Sequence, residues 1–190
     1  MDRDTKKKGK IFVVSAPSGA GKTTLCQALL KKSSTISYSI SHTTRAPRKG
    51  EKHGLDYFFI STNDFEKKIE QNFWAEWAKV HGNYYGTSKK YLLDQVVKGH
   101  NILLEIDIKG AKQIKKLYPD SVTIFIMPPC FAVLEKRLRE RATDSEDIIN
   151  IRLKNARAEM DQKNFYDHVI INDELDQSCK KFFEVVNRYL

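Results

Sequence analysis

The chain has 190 residues, enough for one domain with a substantial core; hydrophobic residues make up 41% and charged residues 30%, the balance of a folded globular protein and not of a disordered one. No run of eighteen apolar residues occurs, which excludes a membrane-spanning helix and points away from a membrane partner. A net charge of +9 suits a phosphate-bearing partner, and because the lysines are scattered and no nucleic-acid module is visible, small anionic substrates and no nucleic acid are expected.

Residues 1–9, within "MDRDTKKKGK", read as a flexible basic tail without the apolar stretch of a secretory signal. The first strand is the apolar run "IFVVSA", 11–16, suited to burial on both faces. A glycine-containing turn follows, then a helix over "TTLCQALLKK". Residues 36–87 break the rhythm: "SYSISHTT", "DYFFIS" and "WAEWAKV" read as short strands around a helix at about 64–71, a lobe inserted into the core. Beyond it, strands "NILLEIDI" (101–108), "SVTIFIM" (121–127) and "HVIIN" (168–172) alternate with helices at about 89–98, 110–117, 131–141, 145–161 and 175–189. Gly99 and Gly110 are read as helix ends, and Ser145, followed by Glu146 and Asp147, as a helix N-cap. Strand-helix alternation implies a parallel sheet flanked by helices. The helix at about 131–141 and the loop after it, "RERATDSED", are rich in Arg and polar residues and read as a mobile flap. Core segments are then 10–35, 88–130 and 163–190. The three cysteines (Cys26, Cys130, Cys179) are widely spaced, as expected of free thiols in a reducing cytoplasm, and the histidines lack metal-ligand spacing.

The stretch "SAPSGAGKTT", 15–24, departs by one residue from the phosphate-loop pattern of Gly, four residues and Gly-Lys-Ser/Thr: Ala16 stands at the first Gly. Pro17 holds Ala16 extended, a conformation alanine tolerates, so the loop is expected to function. Backbone N–H groups and the following helix N-terminus would surround phosphates, Lys22 would meet the β- and γ-phosphates, and the Thr23 hydroxyl would ligate Mg²⁺. The plain alternative is a chance Gly-Lys-Thr at a helix cap. Farther on, Arg45, Arg48 and Tyr57, with the tyrosines of "GNYYGTS", make a socket for a second, dianionic phosphate.

The blocks "SAPSGAGKTT", "SHTTRAPRKGE", "GNYYGTS", "LLEIDIKGA", "RLRER" and "IINDELD" together resemble guanylate kinase, in order and near spacing, over essentially the whole chain from residue 10. The resemblance implies a P-loop kinase-type α/β fold with an inserted NMP-binding lobe (36–87) and a lid (about 131–162). It implies an ATP:(d)GMP phosphotransferase using Mg²⁺, cytoplasmic, monomeric or homodimeric, with ATP and GMP or dGMP as substrates. ATP would be bound by Ser18, Gly19, Ala20, Gly21, Lys22, Thr23 and Thr24, with Arg137 and Asn172. The GMP phosphate would meet Arg45, Arg48, Tyr57 and Tyr85, with Glu51 orienting the arginines. Guanine would be read by the Glu76 carboxylate and the hydroxyls of Ser41 and Thr87. Glu105 and Asp107 would face the nucleotides, Asp107 near the metal, and Arg137, Arg141 and Arg152 would neutralise the transferred phosphoryl group. For the two acids, helix capping or ion pairing is the competing reading; for the arginines, solvated surface. Lys109 and Ala142 depart from the usual Gln and Gly, and Thr87 from the commoner Ser. Two other functions compete: a peptide-binding, non-catalytic relative, disfavoured by the retained Lys22, Thr23 and arginines, and a kinase for another phosphorylated small molecule. A GTPase is disfavoured because no Asn-Lys-x-Asp block occurs.

Overall fold

In a computed structural model, residues 8–80, 82–140 and 146–190 are described. Five parallel strands form the core sheet in the order β2 (Ile36–Tyr38), β7 (Asn101–Glu105), β1 (Ile11–Ser15), β8 (Val122–Met127), β9 (His168–Ile171). All five side chains of β1 are buried, as a central strand covered on both faces requires. One face packs Phe12, Leu25, Leu29, Ile124 and Phe182 beneath α1 (Lys22–Lys32) and α7 (Leu175–Asn187). The other packs Val13, Leu92, Leu104, Ile114 and Phe125 beneath α3 (Lys89–Val97) and α4 (Ile108–Leu117).

A second sheet, β4 (Phe58–Phe59), β3 (His42–Thr43), β6 (Asn83–Ser88), β5 (Trp74–Val80), is mainly antiparallel. It carries α2 (Thr62–Glu70), whose Phe65 is fully buried in a stack between Trp74 and Tyr84, at 4.2 Å and 5.0 Å between ring centroids. Helix α5 (Phe131–Glu140) and helix α6 (Glu146–Met160) pack on each other through Leu134, Leu138, Ile149, Leu153 and Ala156, and a 3₁₀ turn (Asp161–Phe165) returns the chain to β9.

Three boundaries differ from the sequence reading. The stretch 37–44 is two strands, and its first part, β2, pairs with β7 in the core sheet, so 36–38 lie outside the second sheet. The strand expected over 101–108 stops at Glu105, because the Asp107 side chain accepts the Gly110 N–H at 2.7 Å and starts α4 at Ile108. Gly110 is therefore inside a helix and not at its end. Gly99, by contrast, follows α3 with φ +83°, the left-handed value that a helix-ending glycine supplies. Glu146 and Asp147 do open α6, whereas Ser145, Ala142 and residues 1–7 lie outside the described residues.

Candidate active site

The parallel pairing of β1 with β7 sets Val14 opposite Glu105, so both strands end at the same edge of the sheet, where α/β folds gather ligands. From that edge the phosphate loop turns through Gly19 (φ +93°) and Gly21 (φ +87°), and Gly21 is the residue preceding α1. A left-handed backbone here is what frees successive N–H groups to point into one concavity. No side chain caps α1, so its first N–H groups are open to an anion. A Cβ at Gly21 would fall 2.3 Å from the Asn172 side-chain amide, so glycine is required by packing as well.

Lys22 and Thr23 both turn to β7. The Thr23 hydroxyl donates to the Glu105 carboxylate, and the Lys22 ammonium lies 3.9 Å from Glu105 and 3.4 Å from the Ile106 carbonyl. Asp107, expected near the metal, has one carboxylate oxygen on the α4 N-terminus; Glu105 is the acid that meets Thr23. Capping and ion pairing, the competing readings for these two acids, are thus both present. Asn172, expected to help bind ATP, is buried, and its side-chain N–H donates to the Ala20 carbonyl at 2.7 Å. Arg137 donates to the Asn172 carbonyl at 3.1 Å, and shares a cavity of about 340 Å³ with Gly19, Gly21 and Thr24. Arg152 approaches the Ser18 hydroxyl at 3.4 Å from the other side, beside Asp107 and Glu159 in a separate cavity. Arg141 lies outside the described residues.

Lys22, Ser41, Tyr57, Glu76, Tyr85, Glu105 and Asp107, far apart in sequence, line one cavity of about 220 Å³. At its base Glu76 is only 3% exposed. The β5–β6 register sets Glu76 opposite Thr87, whose hydroxyl donates to the carboxylate at 2.6 Å. Burial pushes the Glu76 carboxyl up to about 7; the Thr87 hydrogen bond opposes the rise and the nearby Asp107 adds to it. At the outer rim Glu51 accepts from the Arg45 guanidinium at 2.8 Å and from the Arg48 backbone N–H at 2.7 Å. The hydrogen bond from Arg45 holds the Glu51 carboxyl below its ordinary value. Arg45 also sits 5.4 Å over the Tyr57 ring, and Tyr57 meets Tyr85 edge to face. The Arg48 side chain is exposed.

The sequence reading gave no site role to Gly110, taken as a helix end, or to Gln113 on α4 and Glu159 on α6. Only a buried glycine within an otherwise good helix signals the first, and that needs the correct start of α4.

Chemically, the site offers a backbone anion cradle with an ammonium, a carboxylate–hydroxyl pair of oxygen donors, and a buried carboxylate beside a second, arginine-bearing rim. Among the described residues, no three or more His, Cys, Asp or Glu side chains group as a metal cage.

The family model described as guanylate kinase matches residues 8–189. A guanylate kinase of Dechloromonas aromatica is 49% identical over 178 residues, 94% of this chain and 88% of its own length. One of Carboxydothermus hydrogenoformans is 50% identical over 169 residues, 89% of this chain and 83% of its own. Among solved structures, a guanylate kinase from Anaplasma phagocytophilum superposes with a TM-score of 0.79 at 36% identity, covering 97% of this chain and 87% of that one.

Proposed function

The chain belongs to the guanylate kinase family, nucleoside monophosphate kinases that transfer the γ-phosphoryl group of ATP to GMP, and from that premise we propose how its residues divide the work. The phosphate loop, Ser18 to Thr24, holds the ATP phosphates through backbone N–H groups, with Lys22 on the β- and γ-oxygens. Arg45 and Arg48, with the Tyr57 and Tyr85 hydroxyls, hold the GMP phosphate, and Glu51 keeps Arg45 turned toward it. Glu76 accepts the guanine N1–H and N2–H. The Thr87 proton is already given to Glu76, which leaves Ser41 as the donor to O6.

A GMP phosphate oxygen attacks the γ-phosphorus in line, and the bond to the β-phosphate oxygen of the departing ADP breaks. No side chain forms a covalent bond. The protein's work is alignment and charge neutralisation, from Lys22 and from Arg137, Arg141 and Arg152 of the lid. The Thr23 hydroxyl and the Glu105 carboxylate form an all-oxygen pair that fits Mg²⁺, with Asp107 nearby. Bound there, Mg²⁺ would neutralise charge on the β- and γ-phosphates. Every assigned GMP contact is to base or phosphate, so the reading extends to dGMP. The three free thiols support a cytoplasmic setting.

The observation that carries the guanine assignment is the buried Glu76–Thr87 pair facing Lys22 across one cavity. A site with an unpaired buried carboxylate rejects a base that cannot donate to it, by roughly 10⁴-fold or more. An ADP-release assay with GMP, dGMP, AMP, UMP and CMP side by side tests it. Turnover with GMP and dGMP alone is expected; AMP turned over as well as GMP overturns the base assignment.

A further inference from the structure

The carboxylate of Glu76 is held from a direction other than its Thr87 partner. Gly110 lies in the first turn of α4, where glycine is disfavoured relative to alanine. Its backbone is ordinary helix, so no left-handed turn explains it. Space does. A Cβ at position 110 would fall 2.4 Å from the second Glu76 carboxylate oxygen and 3.1 Å from the Glu76 carboxyl carbon. Ordinary contact begins near 3.4 Å. A methyl group at 110 and Glu76 in its present position therefore exclude one another.

One turn along α4, the Gln113 side-chain amide grips the neighbouring residue of β5 twice. Its oxygen accepts the Trp77 backbone N–H at 3.2 Å, and its nitrogen donates to the Trp77 carbonyl at 2.8 Å. Strand β5 is the outer strand of its sheet, so among the described residues that edge of Trp77 meets no further strand. A side chain from the core sheet's own helix completes it. Helix α4 thus fixes the backbone beside Glu76 through Gln113, and leaves room for the side chain through Gly110.

The geometry points to Gly110 and Gln113 as a pair of positioning residues that set how Glu76 presents its two oxygens to the base, and so set selectivity for the guanine 2-amino group. The inference rests on the reading of Glu76 as the base-reading carboxylate. A one-sided shift takes one carboxylate oxygen out of register, so the N1–H and N2–H donors can no longer both be met and the advantage the 2-amino group confers shrinks.

Steady-state kinetics with GMP and with inosine monophosphate, which lacks the 2-amino group, test this on the wild type and on Gly110→Ala, Gln113→Leu and Glu76→Gln. Gly110→Ala is expected to raise the GMP KM roughly tenfold or more with the ATP KM unchanged, and to narrow the GMP-to-inosinate preference. Gln113→Leu should shift the same ratio in the same direction by a smaller factor, about threefold. A folded Gly110→Ala enzyme with the wild-type ratio overturns the role of Gly110. Should that variant not fold, Gln113→Leu decides alone, and an unchanged ratio there overturns the pair. Glu76→Gln separates the two levels. If it keeps the preference, the assignment of Glu76 itself fails; if it loses the preference while both α4 variants keep it, only the α4 role falls.

Discussion

The phosphate loop and the Glu76 pocket lie at one edge of the same sheet, yet they are made in opposite ways. The loop is local: residues 16–24 supply it, mostly with backbone, and two glycines at φ near +90° shape it. The pocket is non-local: Ser41, Glu76 and Asp107, far apart in sequence, line it with their side chains, and Thr87 of the neighbouring strand holds the Glu76 carboxylate. A backbone cradle recognises what all triphosphates share. In the proposed reading, a buried carboxylate recognises one base. The difference teaches where the energetic risk lies: loop N–H groups pay no burial penalty when empty, whereas Glu76 is buried against its own ionisation.

Breaking the loop should have the largest effect. Lys22→Met is expected to cut kcat by at least ~100-fold with the circular-dichroism melt unchanged, since charge stabilisation is lost and packing is not. Near-normal turnover would remove Lys22 from the mechanism.

The pocket should differ from the loop in its pH dependence. In the proposed reading guanine donates to the ionised carboxylate, so the GMP KM should rise as pH falls below about 7, without a matching inflection for ATP. Stability moves the other way. Folding raises the Glu76 value from 4.5 to about 7, so the folded chain binds the proton more tightly, and stability declines as pH rises between those values. Glu76→Gln should remove both trends and gain on the order of 3 kcal/mol at pH 8 in denaturant titrations. A variant as pH-dependent as the wild type would show the carboxylate is ionised freely.

The smallest effect belongs to the far face of the second sheet. His42 stacks on Phe58 at 4.7 Å and meets Trp74 and Phe73 edge-on, and burial pushes it down to about 4. Its contribution is present above pH 6.5 and is lost as pH falls through about 4. His42→Phe should soften acid unfolding by about 1 kcal/mol, allowing for screening of a partly exposed ring, with GMP kinetics untouched. An acid midpoint unmoved by the substitution would end this account.

The same contrast governs what the sequence discloses. "SAPSGAGKTT" is legible because its chemistry is contiguous, and Ala16 follows a fully buried strand end. Glu76, Ser41 and Thr87 become a set only through resemblance, since nothing in their spacing forces them together; the β5–β6 register and the α4 contact do. Boundaries failed where a side chain overrode the apolar pattern. "NILLEIDI" reads as one strand, but Asp107 caps a helix inside it. Gly110 then looks like a terminus when it is a clearance. Asn172 shows the same limit: an amide in "IINDELD" is visible, but its use on the Ala20 carbonyl depends on a contact 152 residues away. The pairing of β2 with β7 is as hard to read: three residues, Ile36–Tyr38, join the core sheet through a partner 65 positions downstream.

The chain contains two tryptophans, and both are in β5: Trp74, buried against Phe65, and Trp77, about one-third exposed beside Tyr84. They bracket Glu76 along the strand. Indole emission therefore originates from two side chains on one strand, roughly 10 Å apart along the backbone, that flank Glu76. Under the proposed reading of Glu76, base occupancy is expected to change indole emission on the unlabelled enzyme, with the buried Trp74 and the part-exposed Trp77 sampling two environments beside the same carboxylate.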